Sequence, residues 1–302
     1  MNFTVFTSHI MLALGRKKVR KKKPWIGKQY FVKRPGLPKT EVFLHTPKTP
    51  FCTPMPVMFN IHGGAWVGGD ATVLDGQSQR IADTLGCFVV NINYHKVDEK
   101  AFPYLQEEVR DVVLHFAQHA EEFDLDVTKF GIVGYSAGGH LTAAVALMLK
   151  DEGFRLCAHV PVYPFLDFRI FDGENDVVDK KDPEHEKTKR KIDAVFFRGD
   201  MPKEHPYMSP NAATPEQIRG LSPAEVIICG QDPLRPMGVE YEKLLIEAGV
   251  PCVLKEYEKA VHGFAEMDWT KAATEAEQGQ VALQSECIDY LKVRMQQHWE
   301  NI

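Results

Sequence analysis

Lys129-Phe130-Gly131-Ile132-Val133-Gly134-Tyr135-Ser136-Ala137-Gly138-Gly139-His140 is the stretch that decides the fold. Its first half is a short apolar run that reads as a buried strand. From Ala137 to Leu149 the chain is apolar nearly all round, the pattern of a helix packed against a sheet. Between the two lies Gly134-Tyr135-Ser136-Ala137-Gly138, which sets a serine on a strand-to-helix turn so sharp that its neighbours must be small. Such a turn projects the Ser136 hydroxyl above the sheet, and the helix amino terminus behind it favours negative charge at that point. Ser136 is the candidate nucleophile.

Outward from this turn the chain alternates short β-rich runs with longer helical ones. Strands are expected at Glu41–Thr46, Val57–Ile61, Cys87–Ile92, Lys129–Val133, Cys157–Val162, Glu225–Cys229 and Cys252–Tyr257. Several are apolar on both faces, as in strands buried inside a parallel sheet. Helices are expected at Leu74–Leu85, Tyr104–Ala120, Ala137–Leu149, Val239–Ala248 (stopped by Gly249) and from about Thr274 to Gln297. The alternation predicts a single α/β domain over 1–302 with a mostly parallel, doubly wound sheet of about eight strands. One segment, about 167–213, is strongly charged and holds no convincing strand. It falls where an insertion would lie over the carboxyl ends of the strands, so it reads as a cap.

Serine is a weak nucleophile at neutral pH and needs a base, which in turn needs an orienting acid. Hydrolases built on such a turn carry these groups in the order Ser, acid, His. Behind successive strands come Gly230-Gln231-Asp232-Pro233-Leu234 and Ala260-Val261-His262-Gly263-Phe264. Asp232 is the expected acid and His262 the expected base. His62-Gly63-Gly64-Ala65-Trp66 follows the Val57–Ile61 strand and offers backbone N–H groups to a developing oxyanion. Gly63, Gly64 and Ala137 are the expected donors. Trp66, Tyr135 and Phe264 are candidate walls of the substrate pocket. His140 reads as a packed or capping residue and His62 as a support for the glycine loop; Asp200 and Asp268 fit the acid position less well. No His, Cys, Asp or Glu cluster has metal-ligand spacing, so neither metal nor cofactor is expected.

Composition bounds the function classes. Of 302 residues, 44% are hydrophobic and 25% charged, ordinary values for a globular protein. Seven of the 36 basic residues stand in one run, Arg16 to Lys23. The remaining 29 face 41 acidic residues, so the body of the protein repels phosphate backbones and nucleic acid is not an expected partner. The six cysteines are scattered without a CxxC pair, which favours reduced thiols and a cytoplasmic setting while leaving a disulfide open. Residues 1 to 14 are apolar at helical spacing but lack the charge-first pattern of a secretory signal, and they are too short to span a bilayer. They read as a helix packed on the body with a solvated basic stretch behind it. Contact with a membrane surface and a homo-oligomeric state both stay open.

With these pieces in place the sequence resembles the hormone-sensitive-lipase-like branch (the HGGG/GDXG type) of α/β-hydrolase carboxylesterases. The likeness rests on His62-Gly63-Gly64, Gly134-Tyr135-Ser136-Ala137-Gly138-Gly139, Asp232-Pro233-Leu234 and His262-Gly263-Phe264, and covers roughly residues 40 to 295. It implies the α/β-hydrolase fold, a Ser136–Asp232–His262 triad, an oxyanion hole at the glycine loop, and a cap formed by about residues 1–35 together with the 167–213 insertion. The expected activity is hydrolysis of small or short-acyl carboxylic esters through an acyl-enzyme. The chain departs from the family at Tyr135 (commonly Asp), at Ala65 (often Gly) and over Tyr94-His95-Lys96-Val97-Asp98-Glu99 (usually Tyr-Arg-Leu-Ala-Pro-Glu). Ser-Ala-Gly-Gly-His-Leu and His-Gly-Gly-x-Trp also look like arylformamidase and sugar-deacetylating relatives, which are the alternative reading. A non-catalytic ligand-binding protein on the same fold is the remote one.

Overall fold

The computed structural model describes residues 14–172, 202–268 and 271–302. Eight strands form one sheet: β1 (Lys28–Val32), β2 (Thr40–His45), β3 (Met55–Ile61), β4 (Phe88–Asn93), β5 (Leu125–Tyr135), β6 (Ala158–Val162), β7 (Ala224–Gln231) and β8 (Cys252–Val261). Their order across the sheet is β1-β2-β4-β3-β5-β6-β7-β8. The β1–β2 and β2–β4 pairs are antiparallel and every other pair is parallel. The expected doubly wound sheet is therefore present, with an antiparallel edge.

Five longer helices cover its two faces: α1 (Asp75–Leu85), α2 (Tyr104–Gln118), α3 (Ala137–Asp151), α4 (Arg235–Glu247) and α5 (Glu275–Glu300). The parallel strands β3, β5 and β6 are buried on both sides, which is why their sequences run apolar without alternation. One core packs α2, α3 and α4 against the sheet around Phe59, Phe116, Phe130 and Leu141. The other packs α1 and α5 against the opposite face around Met58, Tyr135, Leu291 and Trp299. Every residue of α3 from Ala137 to Leu149 is buried, as its all-round apolar sequence requires. A reciprocal Thr274–Glu277 capping box fixes the start of α5.

β1 escapes the sequence pattern because it is an edge strand. Of Lys-Gln-Tyr-Phe-Val, only Val32 is fully buried, so no apolar run announces it. Of the segment 1–35 expected to act as cap, Lys28–Val32 is thus part of the sheet, and residues 1–13 lie outside the described residues. Most of the 167–213 insertion also lies outside them, but its two stems are tied together. The Phe168 N–H donates to Ser209 Oγ (3.0 Å), and the Asn211 N–H donates to the Leu166 carbonyl (3.1 Å). The basic run is less solvated than expected. Residues 14–19 are helical, Arg16 forks onto Asp98 and reaches Glu99, and Arg20 bridges Glu41 and Asp70.

Glu225 on β7 locks α5 to the sheet. Its carboxylate, 1% exposed, accepts from Tyr290, Arg294 and His298. Burial pushes its pKa up, but the bonds from His298, Arg294 and Tyr290 outweigh that and leave it below the usual glutamate value. A carboxyl lowered on folding contributes stability above its unfolded pKa and loses it as pH falls through the folded one. Glu225→Ala is therefore expected to cost about 3 kcal/mol in urea unfolding at pH 7. The difference from wild type should shrink below roughly pH 4; a pH-independent difference would mean that packing, not the charge, holds the helix.

Candidate active site

Ser136 stands at the head of α3 with φ 54° and ψ −112°, outside the helical and extended regions that L-residues prefer. The strained turn is held from both sides. The Ser136 N–H donates to the Val162 carbonyl on β6 (2.9 Å), and a Cβ at Gly138 would collide with the Ile61 and His62 carbonyls on β3. Gly134 is equally constrained, since a side chain there would strike the Gly138 backbone. The small residues read from the sequence are thus demanded by backbone-to-backbone approach.

His262 follows the end of β8 and bridges the other two groups. Its Nε2 lies 2.9 Å from Ser136 Oγ and its Nδ1 2.7 Å from Asp232 Oδ2. The carboxylate can only accept, so Nδ1 carries the proton and Nε2 is left to accept from the serine hydroxyl. Asp232, 1% exposed in its side chain, is steadied by the Leu234 N–H on its other oxygen (2.8 Å). The Tyr163 ring packs edge-on against the imidazole at 5.0 Å. Asp268 instead reaches Lys21, and Asp200 lies outside the described residues. His140 is buried away from the serine: Trp66 Nε1 donates to its Nδ1 (3.0 Å), and its Nε2 donates to the Met208 carbonyl (2.9 Å). Among the described residues no group of three His, Cys, Asp or Glu could hold a metal ion.

The glycine loop differs from expectation at one atom. The Gly63 N–H, expected in the oxyanion hole, already donates to Glu266 Oε2 at 2.8 Å. The Gly64 N–H and the Ala137 N–H at the head of α3 are the expected donors that remain. Gly64 has φ 114°, and Ala65 and Trp66 follow at 50° and 56°, so the loop is a run of left-handed residues. The candidate pocket walls are placed differently as well. Tyr135 and Phe264 are fully buried in the core behind the turn, Tyr135 accepting from Gln77 and Phe264 packed on Tyr163 and Tyr257. Tyr135 ends β5 and Phe264 lies two residues past His262, and both rings pack on Tyr163 rather than line an opening. Trp66 is 5% exposed and borders a narrow recess, with room for little more than a water molecule, beside Phe102, Leu105, Phe168 and Met208.

Glu266 is the residue that sequence reasoning missed. A lone glutamate four positions after a histidine carries no motif, and only the fold brings it to the loop after β3. Burial pushes its carboxyl up to about 7, against the pull of the Gly63 N–H and of His262. A side chain at Gly63 would displace this carboxylate from its place on the loop.

A nucleophile turn, a bridging histidine and a buried acid on this sheet define a hydrolase of the α/β class. Comparison with known proteins agrees: a family model described as "alpha/beta hydrolase fold" matches residues 58–266. The chain belongs to that family and, within it, to the hormone-sensitive-lipase-like carboxylesterases. It is 29% identical over 216 residues to an arylesterase of Saccharolobus solfataricus, covering 69% of this chain and 68% of the relative. It is also 29% identical over 226 residues to an acetyl esterase of Salmonella dublin, covering 72% and 67%. In three dimensions it resembles a thermostable esterase from Pseudomonas putida ECU1011, with a TM-score of 0.77 and 22% identity over 97% of this chain and 90% of that one. That last likeness speaks for the fold alone.

A carboxyl whose pKa is raised on folding is a burden once it ionises: the native state holds the proton more tightly, so stability falls as pH rises from the unfolded toward the folded pKa. Glu266→Gln is expected to match wild type near pH 4 and to exceed it by up to about 2 kcal/mol at pH 8. Urea unfolding at the two pH values checks this; an equal difference at both would mean that Glu266 does not ionise across that range.

Proposed function

We propose that the protein is a serine carboxylesterase acting on small or short-acyl esters, with Ser136 as nucleophile, His262 as base and Asp232 as the acid that orients it. The observation that carries this reading is His262 hydrogen-bonded at once to Ser136 Oγ and to Asp232. Ser136 Oγ attacks the acyl carbon while its proton passes to His262 Nε2, and Asp232 stabilises the imidazolium. The carbonyl electron pair moves to oxygen, facing the N–H groups of Gly64 and Ala137. Collapse breaks the ester C–O bond, and His262 returns the proton to the departing alcohol. Water then attacks the acyl-serine, giving its proton to His262, and the acid leaves as Ser136 recovers its hydroxyl. No cofactor enters any step.

The relative named acetyl esterase supports a small acyl group. The tied stems of the 167–213 insertion support its role as a cap over the carboxyl ends of β6 and β7. The six cysteines are free, and Cys87, Cys157, Cys229 and Cys287 are buried, which supports a reducing, cytoplasmic setting. No helix among the described residues is long and apolar enough to cross a membrane.

Hydrolysis of p-nitrophenyl acetate, butyrate and octanoate by the purified protein beside Ser136→Ala tests the proposal. Wild type is expected to prefer acetate or butyrate, and the variant to lose about 10⁶ in kcat. A wild type inactive on all three would remove the simple-ester reading. Activity retained by the variant would remove Ser136.

A further inference from the structure

The glycine loop is backed by a buried cation. Lys96, only 4% exposed, follows β4 and turns its ammonium inward. Among the described residues no carboxylate lies within ion-pairing distance of it. Its Nζ lies 3.3 Å from His62 Nε2, donates to the Tyr94 carbonyl, and sits 4.1 Å above the Tyr94 ring. The His62 ring stacks on the same tyrosine, with centroids 4.4 Å apart. An ammonium has protons to give and no lone pair, so His62 Nε2 must accept. The histidine proton is then on Nδ1, which lies 2.6 Å from the Gly63 carbonyl and donates to it. Burial and the positive charge of Lys96 outweigh the pull of the Gly63 carbonyl and of Asn93 and hold His62 well below its ordinary pKa, so the ring stays neutral and the Nδ1-protonated tautomer satisfies the contacts to Lys96 and Gly63.

The Gly63 carbonyl and the Gly64 N–H belong to one peptide unit. A hydrogen bond accepted at the oxygen draws electron density from the nitrogen and strengthens its N–H as a donor, and bonds in such a chain polarise one another. We propose that Lys96 is a positioning residue for the oxyanion hole: acting through His62, it fixes the orientation of the Gly63–Gly64 peptide and polarises the Gly64 N–H toward the developing negative charge. The line runs from Lys96 Nζ through His62 to the Gly63 carbonyl, and on to the donor on the far side of the same peptide. Glu266 holds the preceding N–H, so the loop cannot rotate to evade the pull. The mechanism gains a charge that never touches substrate and is present before substrate arrives.

This inference rests on the ester-hydrolase reading, and its test separates the two. Lys96→Met keeps the stem and removes the charge. Removing an oxyanion donor outright costs about 10²–10³ in kcat; weakening one is expected to cost about 10-fold. On p-nitrophenyl acetate the variant should lose that factor in kcat with KM within about twofold, and a trifluoromethyl ketone, which mimics the tetrahedral oxyanion, should bind about 10-fold more weakly.

Lys96 is also faced by Asp70 before α1, Glu108 on α2, Arg16 of the amino-terminal helix, and Glu99 on its own loop; burial dominates these and pushes its pKa down to about 8. Wild-type kcat should therefore fall above that pH as the ammonium is lost, and the methionine variant should lack this limb. In the wild type, ¹⁵N resonances at pH 7 should show His62 protonated on Nδ1, a readout that needs neither turnover nor a folded variant. An Nε2-protonated His62, or a variant with unchanged kcat and ketone affinity, would overturn the proposal. If turnover by wild type still required Ser136, the esterase reading would survive that failure.

Discussion

The backbone at Ser136 must leave a parallel strand and enter a helix within one residue, at a φ of 54°. That costs of order 1–3 kcal/mol, and the surroundings have to over-determine it. They do so through the sheet. β5 runs between β3 and β6, and both neighbours hold the turn: β6 accepts the Ser136 N–H, and the carbonyls at the end of β3 press against Gly138. The same closeness brings the loop that follows β3 toward the serine turn. One steric constraint therefore sets Ser136 and the glycine loop in register. Asp232 and His262 arrive independently, just past the ends of β7 and β8.

The glycine loop is held by charge where the serine turn is held by packing. The Gly63 N–H ends on a carboxylate and the Gly63 carbonyl on a histidine that leans on an ammonium. Left-handed residues from Gly64 to Trp66 have little intrinsic preference for this conformation, so such anchors replace the backbone ladder that a strand or helix would supply. Burying Lys96 and Glu266 is unfavourable by itself, as the displacement of both from their usual pKa values records. Positive-φ residues and the buried charges of Lys96 and Glu266 thus meet at this one loop, beside Ser136.

What the sequence disclosed follows from the same division. Seven strands, five helices and the three residues of the Ser–His–Asp array were legible because each follows a local rule: apolar runs for buried strands, small residues at a tight turn, polar residues just beyond strand ends. β1 was not, since an edge strand with one buried side chain has no apolar signature. Glu266 and Lys96 were not, because nothing local marks a charged residue that the fold will bury more than thirty residues away from its partner. Tyr135 and Phe264 misled for the opposite reason. Proximity in sequence to a catalytic residue does not fix direction, and both point into the core behind the turn. The departure at Tyr94-His95-Lys96 was visible as an anomaly, but its meaning required the distance from Lys96 to His62.

The basic amino-terminal segment belongs to the same electrostatic scheme. Arg16 and Arg20 reach the loop regions that flank the site, the first binding Asp98 and the Val67 carbonyl, the second Glu41 and Asp70. Asp98 lies two residues after Lys96, Val67 five residues after His62, and Asp70 is among the charges that act on Lys96. Partly buried forked arginine pairs of this kind fix geometry more than they add stability. The segment that composition alone marked as a candidate for an anionic partner thus sets two of its seven charges against carboxylates of the protein's own body, bracing the segments beside the glycine loop.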